Sequence, residues 1–216
     1  MPPQPHRGRS RATQFPNQID IEHMKSLCIY CGSSPGASPV YAQAARALAQ
    51  AMVNDNIALV YGGGNVGLMG IIADEVIRLG GRATGVIPEA LLQKELGHKG
   101  LTQLHIVKDM HERKAMMAEL SDGFIAMPGG VGTLEELFEV FTWAQLGFHK
   151  KPIGLLNVDG FYDGLLQFIQ HMVSQRFLKG EQAELLMAEA QPEALLQRFR
   201  SFVPLQVTKW LDRTTI

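Results

Sequence analysis

The sequence predicts an α/β protein, a doubly wound parallel sheet in a single domain. Two observations indicate this class. Short apolar runs alternate along the chain with stretches whose apolar residues recur at helical spacing. The runs are apolar throughout rather than at every second residue, which is typical of strands buried beneath helices on both faces. A chain of 216 residues that is 46% hydrophobic is long enough for one sizeable core.

Seven strands and six helices are predicted in order along the chain. The strands are expected at 26–30, 57–61, 82–88, 103–107, 123–128 and 152–158, with an edge strand at 184–190. Five helices are expected at 39–53, 67–79, 110–120, 161–177 and 192–202. A sixth is expected to follow the loop at 128–133 and to end at 145. Ser38 with Pro39 indicates the start of the first helix, Gly80 the end of the second and Asp109 the start of the third.

The patterned sequence covers residues 24–204, which we predict to be the folded domain. Residues 1–23 are rich in Pro and Arg and have no apolar core. They are therefore predicted to form a disordered extension and not a secretory signal. Residues 205–216 form a tail whose sequence carries no further information.

Charge and cysteine content argue against several functions. A net charge of −1 and a pI of about 6.7 give no electrostatic reason to expect nucleic acid or a membrane surface as a partner. No apolar run reaches the roughly 18 residues of a membrane span. Cys28 and Cys31 form C-x-x-C, but residues three apart on a strand point to opposite faces, so neither a redox pair nor a zinc site is expected. We expect a cytoplasmic protein without a metal or cofactor.

The first glycine loop, Gly62 to Gly67, matches G-x-G-x-x-G between a strand and a helix. A dinucleotide site also needs an acidic residue about 20 positions later, and that region, 82–86, has none. Three interpretations remain open: NAD binding, contact with another nucleotide, and close packing of backbone against the sheet.

The second glycine loop, Pro128 to Thr133, is the stronger signal. Free N–H groups at a helix start attract an anion, and Gly130, Gly132 and Thr133 would hold a single phosphate without a lysine. The missing lysine argues against a nucleoside triphosphate and against phosphoryl transfer.

The helix that follows this loop carries carboxylates from its first turns. Thr133 and Glu136 have the spacing of a capping box, so one interpretation is purely structural. Helical geometry adds another, because Glu135, Glu136, Glu139 and Thr142 share one side and would project into the cleft. The opposite, sheet-facing side is predicted to consist of Leu134, Leu137, Phe138, Phe141 and Ala144.

Apolar residues also lie on the acidic side of that helix. With Trp143 and Leu146 on that side, the helix has apolar residues on almost its whole circumference. A second apolar face of this kind predicts a partner surface, most simply that of a homodimer.

A further candidate stretch begins at Asp109. Asp109 and Glu112 have capping-box spacing and are predicted to start a helix. Arg113 and Lys114 then lie near the same sheet edge, where cations oppose the helix dipole and an anionic ligand would compensate. The alternative is a solvated basic pair.

Together these stretches resemble the Lonely Guy (LOG) family of cytokinin riboside 5′-monophosphate phosphoribohydrolases. The resemblance covers nearly all of 24–204 and rests on CIYCGSSPG, VYGGGNVGLMG, MHERKAMM, PGGVGTLEE and TWAQLGFHKKPIGLLNVDGFYDGLL. It implies a Rossmann-like fold, a homodimer, and hydrolysis of the N-glycosidic bond of nucleoside 5′-monophosphates such as AMP or isopentenyladenosine monophosphate. Members often carry the label "lysine decarboxylase", but no pattern here marks a pyridoxal-phosphate lysine.

The resemblance also implies roles for particular residues. It assigns Arg113 and Glu136 as the catalytic pair. The implied substrate contacts are Glu95, Lys114, Gly130, Val131, Gly132, Thr133, Leu134, Glu135 and Thr142. The competing interpretation is a binding module of similar fold without chemistry, such as a molybdenum-cofactor carrier. The joint presence of Arg113 and Glu136 beside an intact glycine loop favours the enzyme.

Overall fold

The computed structural model describes residues 24–92 and 97–205. In this part of the chain a single sheet holds seven parallel strands in the order β4-β3-β2-β1-β5-β6-β7. The strands are β1 Ser26–Tyr30, β2 Ala58–Tyr61, β3 Ala83–Pro88, β4 Gln103–Val107, β5 Phe124–Ala126, β6 Ile153–Leu156 and β7 Leu186–Glu189. The predicted fold class is confirmed.

Helices cover both faces of the sheet. They are α1 Pro39–Asn54, α2 Gly67–Arg78, α3 Glu89–Leu92, α4 Met110–Glu119, α5 Val131–Gln145, α6 Asp163–Ser174, α7 Gly180–Ala183 and α8 Pro192–Arg200. Buried residues of α1, α2 and α8 form one core, and those of α4, α5 and α6 form the other. Cys28 lies in the second core and Cys31 in the first, so the two thiols point to opposite faces as predicted.

The strand order reverses at β1. The chain proceeds from β1 outward to β2, β3 and β4, and then returns to place β5 on the other side of β1. In open parallel sheets, ligands bind at the carboxyl ends of the strands where the order reverses. The loops after β1, β2 and β5 all lie at that edge, so the fold concentrates both glycine loops where a ligand is expected.

Local signals mostly place the helix ends correctly. The Ser38 side chain accepts from Val40 N–H (3.4 Å) at the start of α1, and Asp109 accepts from His111 and Glu112 N–H (2.9 Å each) at the start of α4. Gly80 follows α2 with φ of +78°.

Two departures from the predicted elements have local causes. The helix predicted over 161–177 is shorter, because a 3₁₀ turn at Val158–Gly160 precedes it and the Asn157 side chain accepts from Tyr162 N–H (2.7 Å). Helices α3 and α7 were not predicted, because four residues are too few to show a helical period. No helix among the described residues is long and apolar enough to cross a membrane.

Candidate active site

Three loops meet where the strand order reverses. Gly32, two residues after β1, donates its N–H to Pro128 O (3.1 Å) and accepts at its carbonyl from Leu68 N–H (3.0 Å). A Cβ at Gly67 would meet the backbone of Ser33 and Ser34. The β1 loop, 31–38, is thereby held between the two glycine loops. This loop was not among the predicted site residues, although the sequence offered one signal for it, a glycine two residues after the first strand.

The glycines Gly62 to Gly64 of the first loop are buried, and the protein's own groups pack against them. The Gly62 carbonyl accepts from Arg113 Nη2 (3.1 Å), and the Gly63 carbonyl accepts from His98 N–H (3.0 Å). Gly64 forms an isolated antiparallel bridge with Gly97. A Cβ at Gly63 would lie 3.1 Å from Leu104 Cδ1. Of the interpretations left open by the sequence, close packing is the one this geometry favours.

Arg113 is not a solvated residue. It is only 5% exposed although it lies on the first turns of α4, and its guanidinium reaches across to the first glycine loop. A Cβ at Gly62 would collide with Arg113 Nη2, so glycine is needed there to admit the guanidinium. The glycine loop therefore fixes a buried positive charge at the carboxyl end of β2.

The second glycine loop starts α5 in a different way from the predicted capping box. The N-cap is Gly130, without a side-chain cap bond, and Thr133 lies inside the first turn. Thr133 is buried, and a Cβ at Gly129 would meet its Oγ1. The capping-box interpretation, in which Thr133 caps the helix and Glu136 folds back on it, is therefore wrong, because the chain becomes helical three residues before the predicted cap.

The start of α5 is open toward solvent. A Cβ at Gly130 or Gly132 would meet no atom within 4 Å, and Val131 between them is exposed. The first bond of the helix runs from Leu134 N–H to Gly130 O (3.3 Å), so the N–H groups of residues 131–133 precede the helical ladder. This arrangement leaves both donors and space for an anion.

A buried ammonium joins α4 to α5. Lys114 is 9% exposed, and its Nζ donates to Glu135 Oε1 (2.6 Å) and Glu139 Oε1 (3.1 Å). Burial alone would lower the pKa of Lys114, but these two carboxylates outweigh it and raise the pKa. Of the three glutamates predicted to share one side of α5, Glu135 and Glu139 therefore bind Lys114. Glu136 is not among the carboxylates that bind it.

Glu136 is half-buried and lies close to β1. Its charge helps to raise the pKa of Cys28, Tyr30 and Cys31, in each case after the larger effect of burial. Arg113 acts on Cys28 with the opposite sign. The site therefore runs across three neighbouring strands: the anion loop after β5, the carboxylate near β1 and the guanidinium at β2. Adjacent strands are about 4.8 Å apart, so this row spans about 10 Å.

The remaining predicted residues are distributed more widely. Thr142 is exposed and donates to Phe138 O (2.7 Å), two turns beyond Glu136. Leu134 is half-buried against the core of α4, α5 and α6. Glu95 lies outside the described residues. Among those described, no group of three or more His, Cys, Asp or Glu side chains is arranged to hold a metal ion.

Comparison with known proteins identifies the family. Residues 69–199 match the family model described as "Possible lysine decarboxylase". The chain is 48% identical over 187 residues to the cytokinin riboside 5′-monophosphate phosphoribohydrolase LOG5 of Arabidopsis thaliana, which covers 87% of this chain and 82% of that protein. It is 46% identical over 180 residues to the enzyme LOG of Oryza sativa subsp. japonica, covering 83% and 74%. The chain belongs to the LOG family.

Solved structures with lower identity share the fold of this LOG family member. The molybdenum cofactor binding protein of Rippkaea orientalis aligns with a TM-score of 0.60 at 20% identity, covering 83% of this chain and 97% of that one. The molybdenum cofactor carrier protein of Chlamydomonas reinhardtii aligns with a TM-score of 0.61 at 16% identity, covering 83% and 98%. At this identity the likeness concerns the fold alone.

Proposed function

We propose that this LOG family member hydrolyses the N-glycosidic bond of nucleoside 5′-monophosphates, such as AMP or isopentenyladenosine monophosphate, to free base and ribose 5-phosphate. One observation carries the proposal: an open helix start suited to an anion stands beside a half-buried carboxylate and a buried guanidinium. We assign this activity to residues 24–204, with 1–23 and 205–216 as extensions.

The phosphate would bind at the start of α5. The N–H groups of residues 131–133 and the positive end of the helix dipole favour a phosphate there, and Gly130 and Gly132 leave it room. Thr133 is buried beneath the loop and supports it through Gly129.

Glu136 would act on the sugar. It lies five residues beyond Val131, about 7 Å along the helix axis. As the C1′–N bond breaks, positive charge develops on the ribose, and a carboxylate at this distance stabilises it and orients the attacking water. The water oxygen bonds to C1′, one water proton is released, and a proton is taken up by the departing base.

Arg113 would act at the end of the substrate farthest from the phosphate. Its guanidinium is held at β2, on the other side of β1 from the anion loop. There it would donate hydrogen bonds to the ribose hydroxyls or the leaving base. Lys114 and Glu135 bind each other, and we assign them to fixing α4 against α5, which holds Arg113 and Glu136 in register.

The relatives favour the enzyme over a carrier. Proteins named as phosphoribohydrolases are 46–48% identical to this chain, whereas the molybdenum-cofactor proteins are 16–20% identical. A carrier also has no use for a carboxylate beside its anion loop.

The decisive experiment is Glu136→Gln. We expect at least a 10²-fold loss of turnover, roughly the contribution of a positioned acid–base group, because the amide cannot stabilise the cationic sugar. AMP should still bind, since the anion loop is unchanged. Base release is measured by chromatography and binding by calorimetry, with Glu193→Gln, an exposed carboxylate on α8, as control. Turnover close to wild type in Glu136→Gln would remove Glu136 from the mechanism.

We also propose a homodimer that buries the outer face of α4 and α5. Exposed apolar side chains lie on or directly after these two helices, at Met110, Leu120, Leu146 and Phe148. Leu146→Glu should halve the mass measured by light scattering, because a charge in an apolar interface is poorly solvated. Phe168→Glu on α6 is the matched control, as Phe168 is 56% exposed and Leu146 52%. A wild-type mass near 23.8 kDa would contradict the dimer.

A reducing compartment remains our expectation. Both cysteines are free and buried, and burial raises the pKa of each thiol, so neither is suited to exchange.

A further inference from the structure

His98 is a buried histidine that is not one of the groups proposed to contact the substrate. It is 7% exposed, and both of its ring nitrogens are engaged. Nδ1 accepts from Gly100 N–H (3.0 Å), which requires the proton to lie on Nε2. Nε2 then donates to Asp74 Oδ1 on α2 (3.0 Å). The ring is thus held in one tautomer and one orientation.

The backbone around His98 is attached to the first glycine loop. His98 N–H donates to Gly63 O (3.0 Å), and Gly97 bridges Gly64. Gly62, the residue before this attachment, accepts from Arg113 Nη2 (3.1 Å). Three hydrogen bonds, joined by the covalent chain of His98 and of Gly62–Gly63, therefore lead from Asp74 to the guanidinium of Arg113.

Each member of this series depends on the one before it. Without the contacts to Asp74 and Gly100, the His98 ring no longer fixes its own backbone, and the carbonyl of Gly63 loses a fixed donor. The loop residues are glycines, which have the greatest backbone freedom and rely on such contacts to stay in place. A displaced Gly62 carbonyl would displace Arg113.

We propose that His98, oriented by Asp74, is a positioning residue for Arg113. This role rests on the proposed function, because it matters for turnover only if Arg113 acts on the substrate. His98 itself does not touch the reacting atoms. Because the anion loop after β5 lies on the other side of β1, loss of the His98–Asp74 pair should impair catalysis and leave phosphate binding unchanged.

Asp74 is the residue to change first, since its side chain is 69% exposed and its replacement does not threaten the fold. Asp74→Ala should lower kcat with AMP about tenfold, as expected when a catalytic group is misplaced by a fraction of an ångström. Asp74→Asn retains an oxygen acceptor and should stay within about threefold of wild type. Glu75→Ala is the matched control, because it removes a carboxylate from the same helix that pairs with Arg78 instead.

Two further measurements separate positioning from general damage. The Kd for inorganic phosphate should stay within about twofold of wild type in Asp74→Ala, as the anion loop is untouched. Amide hydrogen exchange should become faster in residues 62–67 and 97–101, because the loop loses an anchor. His98→Ala should likewise leave the Kd for phosphate unchanged, and it should increase the exchange rate more than Asp74→Ala does.

The outcomes distinguish the two proposals. Wild-type kcat in folded Asp74→Ala and His98→Ala would overturn the role of His98, and so would faster exchange without any change in kcat. A wild-type protein that releases no base from either nucleotide would instead overturn the proposed function. In that case hydrogen exchange still tests whether the His98–Asp74 pair anchors the first glycine loop. Unchanged exchange in both variants would show that it does not.

Discussion

The two glycine loops have similar sequences and use glycine for opposite purposes. In the first, at Gly62 and Gly63, the space that side chains would fill is occupied mainly by Arg113 and by residues of β3 and β4. In the second, Gly130 and Gly132 face open space. Glycine in the first loop admits the protein's own groups, and glycine in the second leaves room for a ligand. Spacing alone does not distinguish these two uses.

The groups that pack against each loop explain the difference. The first loop follows β2, which lies inside the sheet next to β3 and is covered by α4 through Arg113. The second loop follows β5, on the other side of the reversal point at β1, and no atom lies within 4 Å of a Cβ built at Gly130 or Gly132. Substitutions in the first loop should therefore change stability, and those in the second should change binding.

The largest effect is expected from Gly67→Ala, at the end of the first loop. Its φ is +55°, and a Cβ would collide with the backbone of Ser33 and Ser34, which cannot move without breaking the β1 loop. We expect a loss of about 4 kcal/mol in the free energy of unfolding, measured in urea. Gly80→Ala has a similar φ of +78° and free space, so it should lose only about 1 kcal/mol. Equal losses in the two variants would contradict the steric argument.

Gly62→Ala should have an intermediate effect. The new methyl group would meet the flexible end of Arg113, so the guanidinium moves and the fold survives, at a cost of about 2 kcal/mol. Turnover should fall about 10²-fold, because Arg113 leaves its position. The double variant with Arg113→Ala should be little worse than Arg113→Ala alone. Additive losses in turnover would show that the two residues act separately.

Gly132→Ala should have the smallest effect on stability, and it should stabilise the protein where the other two substitutions destabilise it. Alanine favours a helix more than glycine does, by up to about 1 kcal/mol, and no atom lies within 4 Å of the new methyl group. The affinity for AMP should nevertheless fall about tenfold, because that methyl group occupies space beside the phosphate. Gly164→Ala is the matched control: it is also the second residue of a helix with free space, and it should stabilise without changing affinity. Unchanged affinity in Gly132→Ala would place the anion elsewhere.

The fold was largely predictable because its signals are local or periodic. Continuous apolar runs identified all seven strands, and Ser38 and Asp109 identified two helix starts. Thr133 shows the limit of such signals. Its T-x-x-E spacing fits a cap, but the space beneath Gly129 receives Thr133 inside the helix, and only the packed structure specifies that.

The site was predictable in composition but not in arrangement. Motif resemblance predicted Arg113, Lys114, Glu135 and Glu136 as site residues, and their assignment to the site stays a prediction. The resemblance could not show that Lys114 binds Glu135 and Glu139, because the sequence gives no distance between α4 and α5. His98 carried no signal at all, since its partners Asp74 and Gly63 are distant in sequence.

The reversal at β1 also has a consequence for synthesis of the chain. While β1 to β4 emerge from the ribosome, one edge of β1 has no neighbour, and it is paired only when β5 has been made, about a hundred residues after β1. An open, apolar edge strand is a template for pairing with other chains. Nascent chains that stall before residue 124 should therefore aggregate, and the long-range pairing of β1 with β5 should limit the folding rate.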